Sequence, residues 1–187
     1  MPVARRAPCL FVAAALAGCG EPDAPEAAPE VESAPYIAFA ADFARFREWE
    51  RFDRGIDPVP PTHFGESAIY LDRRPAAGAR EFPVGTRIVR VETRRGDPSA
   101  PEVHAMVKRG SGYNAEGARG WEFFDLALAP GRAASIRWRG EGPADGDGYT
   151  PPEGGAILSC NHCHGSATDN DSVLSPALAL SALAPSR

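Results

Sequence analysis

The chain has 187 residues, a formal net charge of −5 and a charged fraction of 24%, which fit one globular domain of ordinary composition. No basic run exceeds two consecutive residues, so the composition argues against nucleic acid as a partner. Nineteen glycines and nineteen prolines imply long loops, and Lys108 is the only lysine.

Residues 1–18 have the layout of an export signal. Arg5 and Arg6 precede an apolar run that is too short to span a membrane as a helix, and small residues follow it. The stretch LAGC resembles the lipobox of bacterial lipoproteins, which implies cleavage before Cys19 and acylation of its thiol. An ordinary signal peptide or a helix start is the alternative. Because Gly20 gives no reason for inner-membrane retention, we expect the protein in the periplasm or at the outer membrane.

The segment after the signal has almost nothing to bury. Residues 19–35 consist mainly of Pro, Ala and acidic side chains. Such a composition predicts a flexible acidic tether that holds a domain off a membrane. The folded domain is therefore expected over residues 36–187.

The domain is predicted to begin and end with a helix and to contain strands between them. Aromatic residues recur every third position in AADFARFREWERF, which predicts an amphipathic helix with a core-facing stripe of Phe43, Phe46, Trp49 and Phe52. SAIYLD, TRIVRVET, EVHAMVKR and WEFFDLALA predict strands, and their short connections favour an antiparallel sheet. Ser175 is a candidate N-cap for a last helix. The expected fold class is α+β, an antiparallel sheet with flanking helices.

The sequence CNHCH, residues 160–164, is the C-x-x-C-H attachment signature of c-type haem. Two thiols at this spacing can reach the two vinyl groups of one haem, and the adjacent histidine is then placed beneath the iron. Cys160 and Cys163 are therefore predicted to form thioether bonds, and His164 is predicted to be the proximal ligand of one haem c.

Three other chemistries use the same residue types. A zinc site could take Cys160, Cys163 and two histidines, a redox dithiol could use the cysteine pair alone, and a structural disulfide could join the pair. Compartment favours haem, because export takes the chain to where c-type haem is attached. With Cys9 in the signal peptide and Cys19 acylated, the motif holds every free cysteine.

The sixth coordination position decides whether such an iron can bind a small molecule. No Met or His follows His164, and His162 lies inside the motif and cannot turn back onto the same iron. Met106 and His104, two residues apart on one predicted strand face, are better explained by sheet packing. We therefore expect a five-coordinate, open iron. The alternative is a six-coordinate electron-transfer cytochrome with Met106 or His104 as distal ligand.

The order of four stretches resembles the cytochrome P-460 family of monohaem c-type cytochromes. FPVGTRIVRVE comes first, followed by HAMVKRGSGYNAEGARGWEFF, the late CNHCH and NDSVLS. The resemblance covers about residues 40–175, and the family has hydroxylamine-oxidising and nitric-oxide-binding members. It implies an antiparallel sheet with helices packed around one haem, in a homodimer.

One position departs from the family pattern. The hydroxylamine-oxidising members bond a strand lysine to the haem macrocycle, and the matching residue here is Arg90. A guanidinium stays protonated and is a poor nucleophile, so the resemblance implies a gas-binding site without that crosslink. Arg90 would then lie in the distal pocket, or it would be a strand residue that is solvated or pairs with a haem propionate. Candidates for the family's distal carboxylate are Glu92, Asp169 and Asp171.

The sequence thus predicts an exported, lipid-anchored monohaem cytochrome. Its open iron would bind or oxidise NO, hydroxylamine or peroxide and would exchange electrons with a redox partner protein. The lipid anchor would be its contact with a membrane. No hydrolase triad, phosphate loop or nucleotide fingerprint occurs in the sequence.

Overall fold

The computed structural model describes residues 34–56, 66–94, 97–110, 112–129, 133–141 and 159–183. These residues belong to one compact unit, Glu32–Arg187. The predicted signal peptide, Cys19 and most of the predicted tether lie outside the described residues. Within the described ranges, no helix has the length and apolar character needed to cross a membrane.

Six antiparallel strands form one sheet in which each strand pairs with its neighbours in the chain. The strands are β1 Glu50–Ile56, β2 Glu66–Leu71, β3 Arg87–Arg94, β4 Asp97–Lys108, β5 Trp121–Ala127 and β6 Ser135–Gly140. The four strands expected from the sequence correspond to β2 through β5. Strands β1 and β6, at the two edges of the sheet, were not predicted.

Alternation of side chains along the strands gives the sheet two different faces. We call one the N-terminal face, because the chain before β1 covers it. Its core consists of Ala38, Phe43, Phe46, Tyr70, Val89, Val103, Ala105, Val107, Phe124, Leu126 and Ala134. We call the other the C-terminal face, because residues after Ser159 cover it. Its core consists of Ile69, Leu71, Phe82, Ile88, Met106, Ala118, Trp121, Phe123, Val173, Leu178 and Leu183.

The predicted fold class, α+β with flanking helices, is wrong, because the described chain is mostly β-sheet. Helix α1 spans Cys160–Gly165 and helix α2 spans Leu180–Leu183, and the other helical segments are short 3-10 turns. The core on each side of the sheet is therefore closed by short turns and irregular chain. No helix among the described residues is long enough to form a layer of its own.

The helix predicted in AADFARFREWERF is replaced by two 3-10 turns and a strand. The turns are Ala40–Phe43 and Phe46–Glu48, and β1 begins directly afterwards. An aromatic repeat of three residues matches the 3.0 residues per turn of a 3-10 helix better than the 3.6 of an α-helix. Phe52 consequently lies in β1 and packs with the C-terminal face, away from the other aromatic residues of the stripe.

The helix predicted from Ser175 is broken into a 3-10 turn, Pro176–Leu178, and the short α2. The hydroxyl of Ser175 makes no capping hydrogen bond. Asn170 interrupts the helix instead, because its side-chain oxygen accepts a hydrogen bond from Leu180 N at 2.8 Å. A side-chain amide that binds backbone groups competes with regular helix formation.

Candidate functional site

Helix α1 carries the cysteine motif and begins at its first cysteine. Ser159 precedes it with an extended backbone, and its hydroxyl accepts a hydrogen bond from His162 N at 3.1 Å, which caps the helix. Cys160 and Cys163 are three residues apart, so they lie on the same side of this short helix. His164 follows directly, and all three predicted haem-attachment residues are thus placed on one element.

Asn161, one of the two variable positions of the motif, fixes α1 against the loop between β4 and β5. Its side-chain oxygen accepts hydrogen bonds from Asn114 Nδ2 and Ala118 N, each at 2.7 Å. Gly117 permits this approach, because a Cβ there would lie 2.1 Å from Asn161 Oδ1. Sequence reasoning missed this contact. The glycines of GSGYNAEGARG are the available sign of it, since glycine allows another chain segment to come close.

The environment of the two thiols argues against a redox dithiol. Cys160 and Cys163 form no disulfide, and Cys160 packs against the apolar core of the C-terminal face. Burial raises the pKa of the Cys160 thiol to about 11, and burial also raises the pKa of the Cys163 thiol. Redox-active cysteine pairs depend on a lowered thiol pKa, so neither thiol here is activated in that sense.

The zinc alternative also gains no support from the described part of the chain. Among those residues, no three His, Cys, Asp or Glu side chains converge in a way that could hold a metal ion. A structural zinc site needs four such ligands in tetrahedral geometry. The motif holds two thiols and two histidines, His162 and His164, and the described residues show no third element that would complete a zinc site with them.

The ring of His164 makes a hydrogen bond and a ring contact that orient it. Its Nδ1 lies 2.8 Å from the backbone carbonyl oxygen of Ser172, and the ring packs against Phe123 of β5 with centroids 5.1 Å apart. A carbonyl oxygen only accepts, so Nδ1 carries the proton and donates it. The lone pair is then on Nε2. This is the state of a metal-ligating histidine whose second nitrogen is oriented by a backbone carbonyl.

A row of polar side chains crosses the C-terminal face, and we call it the polar row. Arg90 on β3 is paired in register with His104 on β4, and His104 with Asp125 on β5. Strand alternation places all three on the face against which Cys160 packs. The Asp125 carboxylate adds to the upward shift in the pKa of the Cys160 thiol, which places that carboxylate within electrostatic reach of the motif.

Arg90 is largely buried in this row. Its side chain is 14% exposed, and its Nη2 lies 3.3 Å from the carboxylate of Glu92, whose side chain is 4% exposed. The guanidinium thus keeps its charge in a partly desolvated position beside a carboxylate. The solvated strand position, one of the alternatives for Arg90, therefore does not apply.

Met106 lies in the neighbouring apolar row of the same face. It is buried and is paired in register with Ile88 on one side and with Phe123 on the other. Phe123 is the residue that contacts the ring of His164. Met106 therefore neighbours the packing partner of the histidine, an arrangement that fits sheet packing better than a ligand on the opposite side of an iron.

The three candidate carboxylates lie in different environments. Asp169 is exposed, in the turn after α1. Asp171 is buried and forms an ion pair with Lys108. Glu92 alone of the three has an ion pair with Arg90, on the C-terminal face. If a carboxylate acts together with Arg90, the geometry favours Glu92.

No family model, curated protein or solved structure matches the chain. The resemblance to the cytochrome P-460 family therefore stays a prediction from the sequence. Functional assignment rests on the residues and contacts of the site itself.

Proposed function

We propose that the protein is a monohaem c-type cytochrome. Cys160 and Cys163 would hold one haem c through thioether bonds, and His164 would bind its iron through Nε2. The observation that carries the proposal is the 2.8 Å contact between His164 Nδ1 and the Ser172 carbonyl oxygen, because it supports the tautomer whose Nε2 lone pair would bind the iron. Metal-ligating histidines almost always have such a partner on their second nitrogen.

The surroundings of the motif suit a large apolar macrocycle. The apolar core of the C-terminal face lies beside Cys160, and the side chain of Phe123 supports the imidazole ring. Haem c would supply an iron that binds a diatomic molecule or exchanges one electron. The chain itself supplies the two thiols, the oriented imidazole and the polar row.

Mass spectrometry and extraction test the attachment directly. The mature protein is expected to carry the mass of one covalently bound haem, because Cys160 and Cys163 are the cysteines at the required spacing. Cys160→Ser combined with Cys163→Ser should release all haem on acid–acetone extraction. Haem that stays with this double variant after extraction would refute the c-type assignment.

For the distal side of the iron, the polar row offers hydrogen-bond donors. Arg90 carries several N–H donors in a fixed planar fork and remains charged. A partly buried guanidinium stabilises a small polar or anionic species by charge-assisted hydrogen bonding. We therefore propose small nitrogen species such as NO or hydroxylamine, or peroxide, as the ligand class. The macrocycle crosslink of the hydroxylamine-oxidising members is not part of the proposal, since Arg90 stands at the lysine position.

A six-coordinate electron carrier is the second candidate. His104 favours it, because it lies next to Arg90 in the polar row of the same face. Met106 is the less suitable ligand because of its position beside Phe123. The absorption spectrum of the ferrous protein separates the two functions. An open iron is expected to be high-spin and to bind CO without first losing a side chain. A low-spin spectrum that disappears in His104→Ala or Met106→Ala would establish the carrier.

The cellular setting is also part of the proposal. We expect acylation of Cys19, a periplasmic or outer-membrane location, attachment to a membrane through lipid, and a redox partner protein. A homodimer is expected from the family resemblance. Cell fractionation tests the anchor. Wild-type protein should sediment with membranes and Cys19→Ala should not, whereas wild-type protein found wholly in the soluble fraction would refute lipidation.

A further inference from the structure

The turn that follows α1 has an unusual backbone. Asp171 has a φ of 48° and Ser172 a φ of 63°, so two successive non-glycine residues lie in the left-handed region. Each such residue is unfavourable unless its surroundings impose the conformation. Both residues are buried. Contacts with the rest of the protein must therefore hold this turn.

Asp171 makes those contacts with both its side chain and its backbone. Its carboxylate accepts hydrogen bonds from Lys108 Nζ and from Phe82 N, the latter at 2.8 Å. Its carbonyl oxygen accepts a hydrogen bond from Trp121 Nε1 at 2.7 Å. The three donors come from β4, from the chain before β3 and from β5. The turn is thus fixed relative to the sheet.

Lys108, the only lysine of the chain, is itself tightly placed. Its Nζ donates to the carbonyl oxygen of Arg119 at 3.1 Å and lies 5.4 Å from the centre of the Trp121 ring. Its stem passes close to Gly120, where a Cβ would lie 3.1 Å from Lys108 Cε. A compact ammonium fits this space, whereas a planar guanidinium requires more room.

We infer that the Lys108–Asp171 ion pair positions His164, because it holds the turn that presents the Ser172 carbonyl oxygen to His164 Nδ1. The inference rests on the proposed function, in which His164 ligates the iron. A hydrogen bond at Nδ1 fixes the ring and makes the histidine a stronger electron donor at Nε2. Lys108 and Asp171 act through Ser172, so they are positioning residues. If the turn is loosened, His164 becomes a weaker electron donor at Nε2, and the reduction potential of the iron rises.

Asp171→Asn is the sharpest test of this inference. An asparagine can still accept the hydrogen bond from Phe82 N and tolerates the left-handed backbone, but it lacks the charge that pairs with Lys108. Glu122→Gln is the matched control. Glu122 is a buried carboxylate on the N-terminal face, paired with Arg139 through contacts of 2.7 and 2.8 Å. Glu122 also forms an ion pair with Arg109. The control thus likewise removes the charge of a buried, paired carboxylate, and only Asp171 lies beside Ser172, the partner of His164.

Two measurements on the mature haem protein distinguish positioning from simple stabilisation. These are the midpoint reduction potential and the iron–histidine stretching frequency in the resonance Raman spectrum. Asp171→Asn is expected to raise the potential and to lower the frequency, while Glu122→Gln lowers the melting temperature and leaves both unchanged. If Asp171→Asn does not fold, Lys108→Met, which keeps a packed stem, is measured in its place. An unchanged potential and frequency in the folded variant would overturn the inference.

A different result identifies failure of the proposed function itself. If the wild-type protein carries no haem, the cytochrome proposal is wrong, and nitrogen-15 NMR of the histidine rings tests the positioning alone. The wild type is expected to hold His164 as the Nδ1-protonated tautomer, and Asp171→Asn to show a mixture of tautomers. The same tautomer population in both proteins would refute the positioning role without reference to haem.

Discussion

The two faces of the sheet are built by the same strands but present different chemistry. On the N-terminal face, aromatic rings pack on one another. Phe43 lies 5.2 Å from Phe124, and Phe46 lies 5.2 Å from Tyr70, measured between ring centroids. On the C-terminal face, an apolar row is followed by the polar row, and the cysteine motif packs through Cys160 against the apolar core of this face.

Buried polar side chains reduce stability unless they are well paired, and the polar row lines up three partly buried ones in register on the C-terminal face. The contrast between the faces therefore suggests a division of roles. The N-terminal face supplies much of the hydrophobic stabilisation, and the C-terminal face carries the residues of the proposed haem site, which are the cysteine motif, the polar row and the oriented imidazole. Substitutions on the N-terminal face should therefore change mainly the free energy of unfolding. Substitutions on the C-terminal face should change mainly the haem spectrum.

The largest effect is expected on the N-terminal face. Phe43 is fully buried, and removal of an aromatic ring from a core costs about 3–5 kcal/mol. We expect Phe43→Ala to lower the free energy of unfolding by about that amount in urea titration. The ferrous spectrum of the folded variant should match the wild type, because Phe43 does not contact the C-terminal face. A changed spectrum at unchanged stability would contradict the division of roles.

The next effect concerns thiol reactivity in protein prepared without haem. At pH 8, a pKa of about 11 in place of the ordinary 9.0 reduces the thiolate fraction of Cys160 about 100-fold. In a Cys163→Ser background, iodoacetamide should therefore alkylate the folded chain about 100-fold more slowly than the urea-unfolded chain. Equal rates in the two states would show that Cys160 is not buried against the C-terminal face.

The same pKa shift gives a pH dependence of known sign. The folded pKa of Cys160 lies above the unfolded value, so the folded state keeps its proton over a range in which the unfolded state has lost it. The haem-free protein should therefore lose stability as pH rises from about 9 to about 11. Conversion of Cys160 to a thioether removes the titrating group, and the mature protein should not show this contribution.

A smaller effect is expected where α1 docks. Gly117→Ala places a methyl group against Asn161 Oδ1 and should destabilise the protein by about 1–3 kcal/mol. The amide of Ala118 should exchange its hydrogen faster, because its bond to Asn161 is broken. Amides in the core of the N-terminal face should exchange at the wild-type rate. Asn161→Ala removes the clash, so the two changes together should cost less than the sum of the separate changes. If the two losses of stability simply add, the loop between β4 and β5 accommodates the methyl group without strain.

The smallest effect is expected in ligand kinetics. Arg90→Leu removes a charge-assisted hydrogen bond, so we expect CO or NO dissociation to change about tenfold, with haem content unaffected. Arg45→Leu is the control, because Arg45 is an exposed arginine paired with Glu48 in the segment before β1, and exposed pairs contribute little. Stopped-flow measurements compare the two. Equal dissociation rates in Arg90→Leu and the wild type would show that Arg90 does not act on the bound ligand.

The sequence predicted the inner strands correctly because their apolar residues alternate regularly. It missed the edge strands because arginines interrupt the apolar pattern in β6, SIRWRG, and in β1, ERFDRGI. Charged residues are common on edge strands, where they discourage pairing with another chain. The terminal helices were wrong because a repeat of three was interpreted as an α-helix at one end, and because Asn170 interrupts the helix at the other.

The site was predictable only where its residues are close in sequence. Cys160, Cys163 and His164 form a local pattern with a known chemical meaning. The hydrogen bond between Asn114 and Asn161 joins residues 47 positions apart. The Lys108–Asp171 ion pair joins residues 63 positions apart. Contacts at such separations leave no periodicity in one sequence, because they arise only when the sheet brings distant segments together.

The sequential order of the six strands has a consequence for the order of folding. Every strand pairs with the strand made just before it, so all contacts of the ladder have low sequence separation and can form as the chain emerges. The ladder ends at Gly140, before the cysteine motif is made. Because the motif follows the ladder in the chain, the sheet can form before α1 docks, and a haem attached as we propose would then meet a surface that is already folded.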